Sequence, residues 1–250
     1  MKISVITVSY NSANTILDTL RSVEEQTYTS VEHIIIDGGS TDGTQEIVKK
    51  GKRISKLISE KDDGIFDAMN KGIELSSGDV ISILNSDDVF KDNTILEKIA
   101  SIFEHSETDA VYGDVIYFNE KNPSKAIRRF NSGHFRPESI AWGWMPAHPS
   151  LFLRKKIYDE IGLFKTDYKI AGDFEFIARA FHKNRFKKIY IPEVLVKMRM
   201  GGISTSGLAS TIKLNIEVLK ACRENNIETN IFKILSKYPR KLLELLPYKQ

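Results

Sequence analysis

The chain has 250 residues, of which 41% are hydrophobic and 28% are charged, and its formal net charge is +3. This length suits one large α/β domain with an appendage, and the composition is that of a globular protein with an ample core. The small net charge argues against nucleic-acid binding. The single cysteine, Cys222, excludes an internal disulfide, and the sequence shows no pattern of a structural zinc site.

The predicted location is the cytoplasm. Met1 and Lys2 lead directly into an apolar run, so we expect no signal peptide. No apolar run approaches the roughly 18 residues that a helix needs to cross a bilayer. We therefore expect a cytoplasmic protein that is soluble or peripheral at the inner face of the plasma membrane.

Apolar runs alternate with helix-like segments in the first part of the chain. The runs over residues 3–8, 33–36, 56–59 and 80–84 predict strands, and a helical pattern follows each of them. Near-continuous apolar strands that alternate with helices are typical of a parallel sheet covered on both faces. We therefore predict an α/β fold with a mostly parallel sheet over residues 1–114.

The second part of the chain predicts a mixture of elements. Residues 109–118 and 126–130 have the pattern of two further strands in an antiparallel pair. Residues 131–147 are rich in Gly, Trp and Pro and predict a loop that lines the site. The remaining predicted elements are a short strand over 151–153, a short helix over 155–161, a helix over 173–182, a strand over 187–197 and a helix from Leu208 onward. The last helix is predicted because Leu208, Ile212, Ile216 and Leu219 recur at helical spacing.

Polar clusters follow three of the predicted strands, over residues 9–12, 37–43 and 85–88. Because the carboxyl ends of parallel strands meet at one edge, where open α/β sheets bind ligands, we expect these clusters to converge. The adjacent carboxylates Asp87 and Asp88 repel each other and are best tolerated beside a bridging cation or solvent. A surface turn is the alternative for this last cluster. The repeated layout predicts a binding site.

Residues of the first two clusters suit a nucleotide. Tyr10 can stack on a base while Ser9 and Asn11 bond the ribose or the base edge, although Tyr10 can also simply pack near a helix N-cap. Asp37 can accept from an imide N–H or a ribose hydroxyl. Residues 38–43 match neither a phosphate-binding loop with a lysine nor a dinucleotide fingerprint.

The segment Asp62-Asp63-Gly64 opens a helix with further polar candidates. Asp62, Asn70 and Lys71 can reach the same edge of the sheet from neighbouring turns. An acid at a helix start also complements the helix dipole, which explains Asp62 equally well.

For three later residues both a functional and a structural interpretation are open. Asp173 can act as a general base at a helix start, or as an N-cap. His148 lies between two prolines and can bind a metal or a phosphate, although a lone histidine more often does neither. Arg199 precedes Gly201 and Gly202, in a loop that either closes over a diphosphate or links to the final helix.

Four segments together resemble glycosyltransferase family 2: Val5–Asn11, Asp37–Thr44, Gly64–Gly72 and Leu84–Asp88. They lie in order, at family-like spacing, within a resemblance that covers residues 1–205. The resemblance implies a GT-A fold, which has a Rossmann-like, mostly parallel sheet covered by helices. It also implies a nucleotide-sugar donor, usually a UDP-sugar, a divalent metal (Mn²⁺ or Mg²⁺), and inversion at the anomeric carbon.

The resemblance also assigns roles to the acidic residues. Asp37 would bond the base or ribose, Asp87 the ribose or sugar, and Asp88 the metal that bridges the diphosphate. Asp173 corresponds to the catalytic base, although Gly precedes it where the family usually has Glu. The predicted donor-binding residues are Ser9, Tyr10, Asn11, Asp37, Asp62, Asn70, Lys71, Asp87 and Arg199, and the predicted metal ligands are Asp88 and His148.

The predicted domain organisation is a catalytic domain over 1–205, with a nucleotide-sugar-binding half (1–114) and an acceptor-side half (115–205), and a helical extension over 206–250. Residues 231–250 carry five basic residues and one acidic residue, a net charge of +4. A basic amphipathic segment can lie on an anionic bilayer. Docking on the catalytic domain, or on a second copy in a homodimer, is the alternative.

The sequence therefore predicts a metal-dependent, inverting glycosyltransferase of the hexosyltransferase type. Its acceptor would be a saccharide or a lipid-linked saccharide, in surface polysaccharide synthesis. A nucleotidyltransferase is a second reading, but residues 9–12 lack the basic, glycine-rich triphosphate loop that it needs. A non-catalytic nucleotide-sugar-binding protein is a third reading, against which Asp88 and Asp173 argue.

Overall fold

Nine strands in the described part of the chain form one sheet. The computed structural model describes residues 1–119, 122–183, 185–201 and 207–238, of which residues 122–125 and 208 are described by their backbone alone. The strands are β1 (Ile3–Ser9), β2 (Val31–Asp37), β3 (Lys56–Ser59), β4 (Val80–Ile83), β5 (Asp88–Phe90), β6 (Ala110–Asn119), β7 (Asn122–Phe130), β8 (Leu151–Arg154) and β9 (Lys188–Arg199). The helices are α1 (Ile16–Glu24), α2 (Thr44–Val48), α3 (Ile65–Leu75), α4 (Ile95–Glu104), α5 (Lys155–Ile161), α6 (Gly172–Phe181), α7 (Leu208–Glu224) and α8 (Ile231–Leu235). Short 3₁₀ helices cover Pro137–Trp142 and His148–Ser150.

The parallel part of the sheet has the strand order β3-β2-β1-β4. Every residue of β1 is buried, as expected for a strand that helices cover on both faces. In the β1–β2 register Ser9 lies opposite Asp37, so the polar residues that end the two strands meet at the same edge. The predicted α/β architecture is confirmed.

The other part of the sheet is mixed. Strand β8 runs antiparallel between β4 and β6. Strand β7 pairs antiparallel with the far end of β6, which confirms the antiparallel pair that the sequence predicted for β6 and β7. Strand β9 is parallel to β6 and antiparallel to β5. The three-residue strand β5 was not predicted. It forms because β9 supplies a partner, with Asp88 opposite Met198.

Two glycines near helix α3 allow close backbone approach. A Cβ on Gly72 would lie 2.3 Å from Cγ2 of Ile6, so the glycine lets α3 pack directly on β1. Helix α3 ends at the C-cap Ser76, which has an extended conformation, and therefore does not end at Gly78. A Cβ on Gly78 would instead lie 2.7 Å from the backbone nitrogen of Ser4, so close approach is what requires this glycine.

The described part of the predicted extension packs on the rest of the protein. Val218, Ala221 and Cys222 of α7 are buried, as is Ile234 of α8. The hydroxyl of Thr229 donates to a carbonyl oxygen in the 3₁₀ helix Pro137–Trp142. Residues 239–250, which hold the rest of the predicted basic amphipathic segment, lie outside the described residues. Among the helices that are described, none is long and apolar enough to cross a membrane.

Candidate active site

Hydrogen bonds join the loop after β1 to the loop after β2. The backbone N–H of Asn11 donates to the hydroxyl of Ser40 (2.7 Å), and its side-chain oxygen accepts from the N–H of Thr41 (3.0 Å). Asn11 has a φ of 47°, in the left-handed region that asparagine tolerates better than most residues. The N–H of Ser12 donates to the hydroxyl of Thr44 (2.8 Å). The two loops therefore form one rim.

The third polar cluster joins the same rim. The hydroxyls of Ser12 and Ser86 lie 2.8 Å apart, within hydrogen-bond distance. The hydroxyl of Thr19 on α1 donates to the carbonyl oxygen of Asp88 (2.8 Å), which anchors the acidic turn to the helix after β1. The predicted convergence of three polar clusters on one sheet edge is confirmed.

Asp37 lies below this rim with its carboxylate fully engaged by protein groups. One oxygen accepts from the hydroxyls of Ser9 (3.1 Å) and Ser40, and the other from the hydroxyl of Ser59 (2.6 Å) and the N–H of Ser40 (3.0 Å). Burial would raise the pKa of Asp37, but these hydrogen bonds outweigh it and hold the pKa below its usual value. Asp37 thus ties β1, β2 and β3 together. Its contact with a nucleotide-sugar donor stays a prediction, and this contact requires that one of the present hydrogen bonds to Asp37 is released.

Tyr10 stands at the rim with 67% of its surface exposed. Gly38 lies between its ring and Asp62, since a Cβ there would be 3.4 Å from Cδ2 of Tyr10 and 2.5 Å from Oδ2 of Asp62. The other oxygen of Asp62 accepts from the N–H of Gly64 (2.9 Å). An exposed aromatic ring close to a carboxylate suits a flat ligand with N–H donors, such as a nucleobase.

Asn70 and Lys71 of α3 make contacts within the protein. Asn70 exchanges two hydrogen bonds with the backbone of Phe164 (2.8 and 2.9 Å). Lys71 pairs with Glu60 (2.8 Å) and Asp67 (3.3 Å). Asn70 therefore fixes the segment that leads to α6, and donor binding by Asn70 and Lys71 stays a prediction.

Asp88 is the more enclosed member of the acid pair, with 1% of its surface exposed. Burial, and next the charge of Asp87, raise the pKa of Asp88 well above its usual value. Burial also raises the pKa of Asp87, which the charge of Arg199 opposes. A cation between these carboxylates would relieve their repulsion.

The oxygen atoms around Asp88 fit a divalent ion. The amide nitrogen of Asn85 donates to Asp88 (3.1 Å), while the buried amide oxygen of Asn85 has no hydrogen-bond partner among the described residues. Carboxylate and amide oxygens are ligands that Mg²⁺ and Mn²⁺ accept. No three His, Cys, Asp or Glu side chains of the described residues cluster as a metal site. Mg²⁺ is commonly held by one or two carboxylates together with substrate phosphates and water.

The structure places His148 in a buried 3₁₀ helix, with its ring edge-on to Phe164 at 5.8 Å between centroids. Burial lowers the pKa of His148 to about 4, so the imidazole is neutral at pH 7. Neutral imidazole is the form that binds metals. Its predicted role as a metal ligand stays a prediction.

Arg199 reaches the acid pair through strand pairing rather than through a loop. It is the last residue of β9, next to Met198, which lies opposite Asp88. Its guanidinium donates to Asp18 (2.9 Å) and lies over the ring of Phe118 (5.1 Å). Residues 202–206 of the predicted closing loop lie outside the described residues.

Asp173 is the second residue of α6 and not its N-cap, which is Ala171. Burial raises the pKa of Asp173 to about 6, the backbone N–H of Phe174 opposes this rise, and the charge of Glu217 adds to it. The side chain is partly exposed. A carboxylate with this pKa is ionised at neutral pH and is a stronger base than an ordinary aspartate, as a general base requires.

The starts of α6 and α3 lie against each other. A Cβ on Gly172 would lie 2.7 Å from the ring of Phe66, so the glycine allows this contact. A small cleft next to it is lined by Asp63, Gly64, Ile65, Phe66, Asp67, Thr166, Tyr168 and Lys169. Because Asp62, beside Tyr10, immediately precedes one wall of the cleft, the nucleotide rim and the Asp173 helix adjoin the same region.

The chain belongs to Glycosyl transferase family 2, whose sequence model matches residues 4–179. This interval includes the three polar clusters and Asp173. The protein is therefore a glycosyltransferase, as predicted, and its sheet is that of the GT-A fold.

The chain is also similar to named glycosyltransferases and to solved structures. A "PGL/p-HBAD biosynthesis glycosyltransferase" of Mycobacterium tuberculosis is 29% identical over 213 residues, which are 81% of this chain and 79% of the relative. S. aureus TarS 1–349 in complex with UDP-GlcNAc has a TM-score of 0.72 at 20% identity, over 96% of this chain and 72% of that chain. In another TarS structure the matched region is only 43% of the TarS chain. The mannosyltransferase PcManGT from Pyrobaculum calidifontis, in complex with GDP-Man and Mn²⁺, has a TM-score of 0.66 at 18% identity, over 94% and 68% of the two chains.

Proposed function

We propose that this enzyme transfers a sugar, with inversion, from a nucleoside-diphosphate sugar, most often a UDP-sugar, to a hydroxyl of a saccharide or lipid-linked acceptor. The observation that carries the proposal is the presence of two carboxylates with raised pKa values on separate segments. Asp88 lies with Asp87 beside an unpartnered amide oxygen and suits a cation, whereas Asp173 lies at a helix start with a raised pKa and suits proton transfer.

The donor would occupy the rim at the sheet edge. Tyr10 stacks on the base, and the carboxylate of Asp62, on the other side of Gly38, accepts from the edge of the base. Asp37 becomes a second acceptor once Ser59 releases its hydrogen bond to Asp37. Asp87 bonds the ribose or the sugar. Arg199, whose charge already acts on the acid pair, pairs with the diphosphate.

The chemical step requires a neutralised leaving group and a base on the opposite face of the sugar. Mn²⁺ or Mg²⁺ held by Asp88 and the Asn85 oxygen would supply Lewis-acid neutralisation of the diphosphate. Asp173 takes the proton of the acceptor hydroxyl, whose oxygen bonds to the anomeric carbon as the sugar–phosphate bond breaks. One displacement of this kind inverts the configuration and forms no covalent enzyme intermediate.

The proposed function is tested by a panel of UDP-glucose, UDP-galactose, UDP-N-acetylglucosamine and GDP-mannose, each with Mn²⁺ and p-nitrophenyl glycosides as acceptors. Released nucleoside diphosphate and product mass are measured, and the anomeric configuration is read by NMR. We expect turnover with one donor, loss of turnover in EDTA, and an inverted product. Turnover that survives EDTA, or a retained configuration, would contradict the mechanism.

Tyr10→Ala is expected to weaken donor binding without weakening the fold. Stacking of a base on an aromatic ring contributes about 1–3 kcal/mol, so the Kd for the nucleoside diphosphate should rise at least about fivefold. Because Tyr10 is 67% exposed, the melting temperature should stay unchanged. Ile212→Ala truncates another exposed apolar side chain, 62% exposed on α7, and should change neither property. Unchanged affinity in Tyr10→Ala would contradict the stacking role.

We also propose that the basic extension contacts an anionic membrane surface, where a lipid-linked acceptor is found. On α8, Phe232 is 82% exposed and precedes Lys233 in a segment with a net charge of +4. The full chain should float with vesicles that contain phosphatidylglycerol and not with pure phosphatidylcholine, and Phe232→Ser should reduce flotation. Equal behaviour with both vesicle types would remove this proposal.

A further inference from the structure

A carboxylate on α7 accepts hydrogen bonds from the backbone of the segment that leads into α6. Helix α7 lies beyond the interval that the family model matches, residues 4–179. The carboxylate of Glu217, which is 8% exposed, accepts from the backbone N–H groups of Lys169 (3.1 and 3.2 Å), Ile170 (2.8 Å) and Ala171 (2.8 Å). Three consecutive backbone donors thus converge on one side chain.

These donors need a partner that their own segment does not provide. None of Lys169, Ile170 and Ala171, the last of which is the N-cap of α6, has a side chain that can accept a hydrogen bond. A buried N–H group without an acceptor costs about 1–3 kcal/mol. A carboxylate also has favourable electrostatics at the N-terminal end of a helix dipole. Glu217 therefore supplies, from another helix, the acceptor for the backbone N–H groups of the N-cap residue and of the two residues before it.

The rest of α7 keeps Glu217 in place. Ala221, one turn further on the same face, is fully buried. Asn225, just past the end of α7, donates to the buried Glu175 of α6 (3.3 Å), which is also held by Arg179 (2.9 Å). Helices α6 and α7 are thus joined both at the start of α6 and at Glu175 further along it, so Glu217 has a fixed position relative to α6.

We propose that Glu217 is a positioning residue for Asp173: it holds residues 169–171 so that the carboxylate two positions later is presented to the acceptor hydroxyl. This inference rests on the proposed role of Asp173 as the base. Misplacement of a reacting group by about 1 Å can cost about 100-fold in rate. An enzyme that depends on this contact needs its extension for catalysis as well as for stability.

Glu217 also acts on Asp173 through its charge, which adds to the effect of burial on the pKa of Asp173. The other charged groups packed around the start of α6 are Asp63, Asp67 and Lys71 of the α3 region, Lys165, Asp167 and Lys169 of the preceding segment, Glu175 and Arg179 of α6, and Lys220 and Glu224 of α7. Most of these groups are neutralised in ion pairs, whereas the Glu217 carboxylate is bonded to neutral backbone groups.

The test compares Glu217→Gln and Glu217→Ala with Glu224→Gln in the full-length chain. Glu224 makes the matched control because it lies on the same helix, two turns away, and bonds Lys165 and Tyr168 rather than residues 169–171. Each variant is assayed with the fastest donor of the panel above and the p-nitrophenyl glycoside acceptor. Thermal melting shows that the variant is folded at the assay temperature.

We expect Glu217→Ala to lower kcat by about 10- to 100-fold while the KM for the donor changes by less than about twofold, with Glu217→Gln intermediate. The acidic limb of the kcat–pH profile should move to lower pH in both variants, because a negative charge near Asp173 is removed. Amide hydrogen exchange at residues 169–171 should accelerate. Glu224→Gln should change none of these three properties.

A folded Glu217→Gln variant with the kcat, pH profile and amide exchange of the control would overturn the inference. A parallel loss of kcat and donor affinity would also overturn it, because it would indicate general damage. Asp173→Asn separates this failure from that of the proposed function. If Asp173→Asn retains transfer, the base assignment fails; if it is inactive while the Glu217 variants behave as wild type, only the role of Glu217 fails.

Discussion

Asp173→Asn is expected to lower kcat by about 100- to 10,000-fold, the range that general-base catalysis contributes. Asparagine has nearly the size of aspartate but cannot accept the proton of the acceptor hydroxyl. Donor binding should remain nearly intact, because the predicted nucleotide rim is built by the loops after β1 and β2 and not by α6. Titration with UDP and Mn²⁺, by calorimetry, measures the binding separately from turnover.

Asp159→Asn provides the control for this experiment. It makes the same chemical change at an exposed position of α5 and should leave transfer and binding unchanged. If Asp173→Asn lost nucleotide binding together with transfer, its assignment as the base would be contradicted. Full transfer activity in Asp173→Asn would contradict it more directly.

The pH dependence of kcat gives an independent check on Asp173. Its folded-state pKa of about 6 lies above the usual aspartate value, and the base acts in its ionised form. The rate should therefore be constant above pH 7 and should fall about tenfold for each pH unit below the pKa. An acidic limb near pH 4, the region of an unperturbed aspartate, would contradict a base with the raised pKa of Asp173.

Asp88→Asn is expected to abolish Mn²⁺-dependent donor binding and to reduce transfer by at least about 1,000-fold, since Lewis-acid stabilisation is worth several kcal/mol. The amide keeps an oxygen for the hydrogen bond from Asn85 but loses the charge that attracts the ion. In EDTA the variant should melt at a higher temperature than wild type. The pKa of Asp88 is raised on folding by burial and by the charge of Asp87, so at neutral pH this carboxyl group destabilises the folded state.

Melting curves in EDTA and in Mn²⁺ with UDP distinguish the two effects of this substitution. Asp159→Asn should show the wild-type stabilisation by Mn²⁺ and UDP. An Asp88→Asn variant that kept this stabilisation would place the ion elsewhere. A lower melting temperature in EDTA would show that the Asp88 carboxylate contributes favourably to folding without an ion.

Much of the sheet edge was predictable because the strands of a covered parallel sheet are apolar runs, and the polar residues that end them stand out. Asp87 and Asp88 were found in this way, as were Tyr10 and Asp37. The sequence could not show that Asp37 is engaged by Ser59, because that contact depends on the β2–β3 register. Strand β5 was missed because three residues carry no pattern, and without it the proximity of Arg199 to the acid pair was not visible.

The contacts of the C-terminal extension could not be predicted from the sequence, for a different reason. A helix from Leu208 was predicted, partly from the spacing of Ile212 and Ile216, yet these two side chains are 62% and 60% exposed. The face that packs on α6 carries Glu217, a residue that hydrophobic periodicity would assign to solvent. Its partners are backbone N–H groups, which have no signature in the sequence.

The most direct test of the proposed function is differential scanning fluorimetry of the protein with UDP, GDP, dTDP and CDP, each in Mn²⁺ and in EDTA. A site built from Tyr10, Asp62 and Asp88 predicts stabilisation by one of these diphosphates that disappears in EDTA and in Asp88→Asn. This result would identify the donor base and the role of the ion together. A well-folded sample that none of the four nucleotides stabilises would contradict a nucleotide-sugar site at this edge of the sheet.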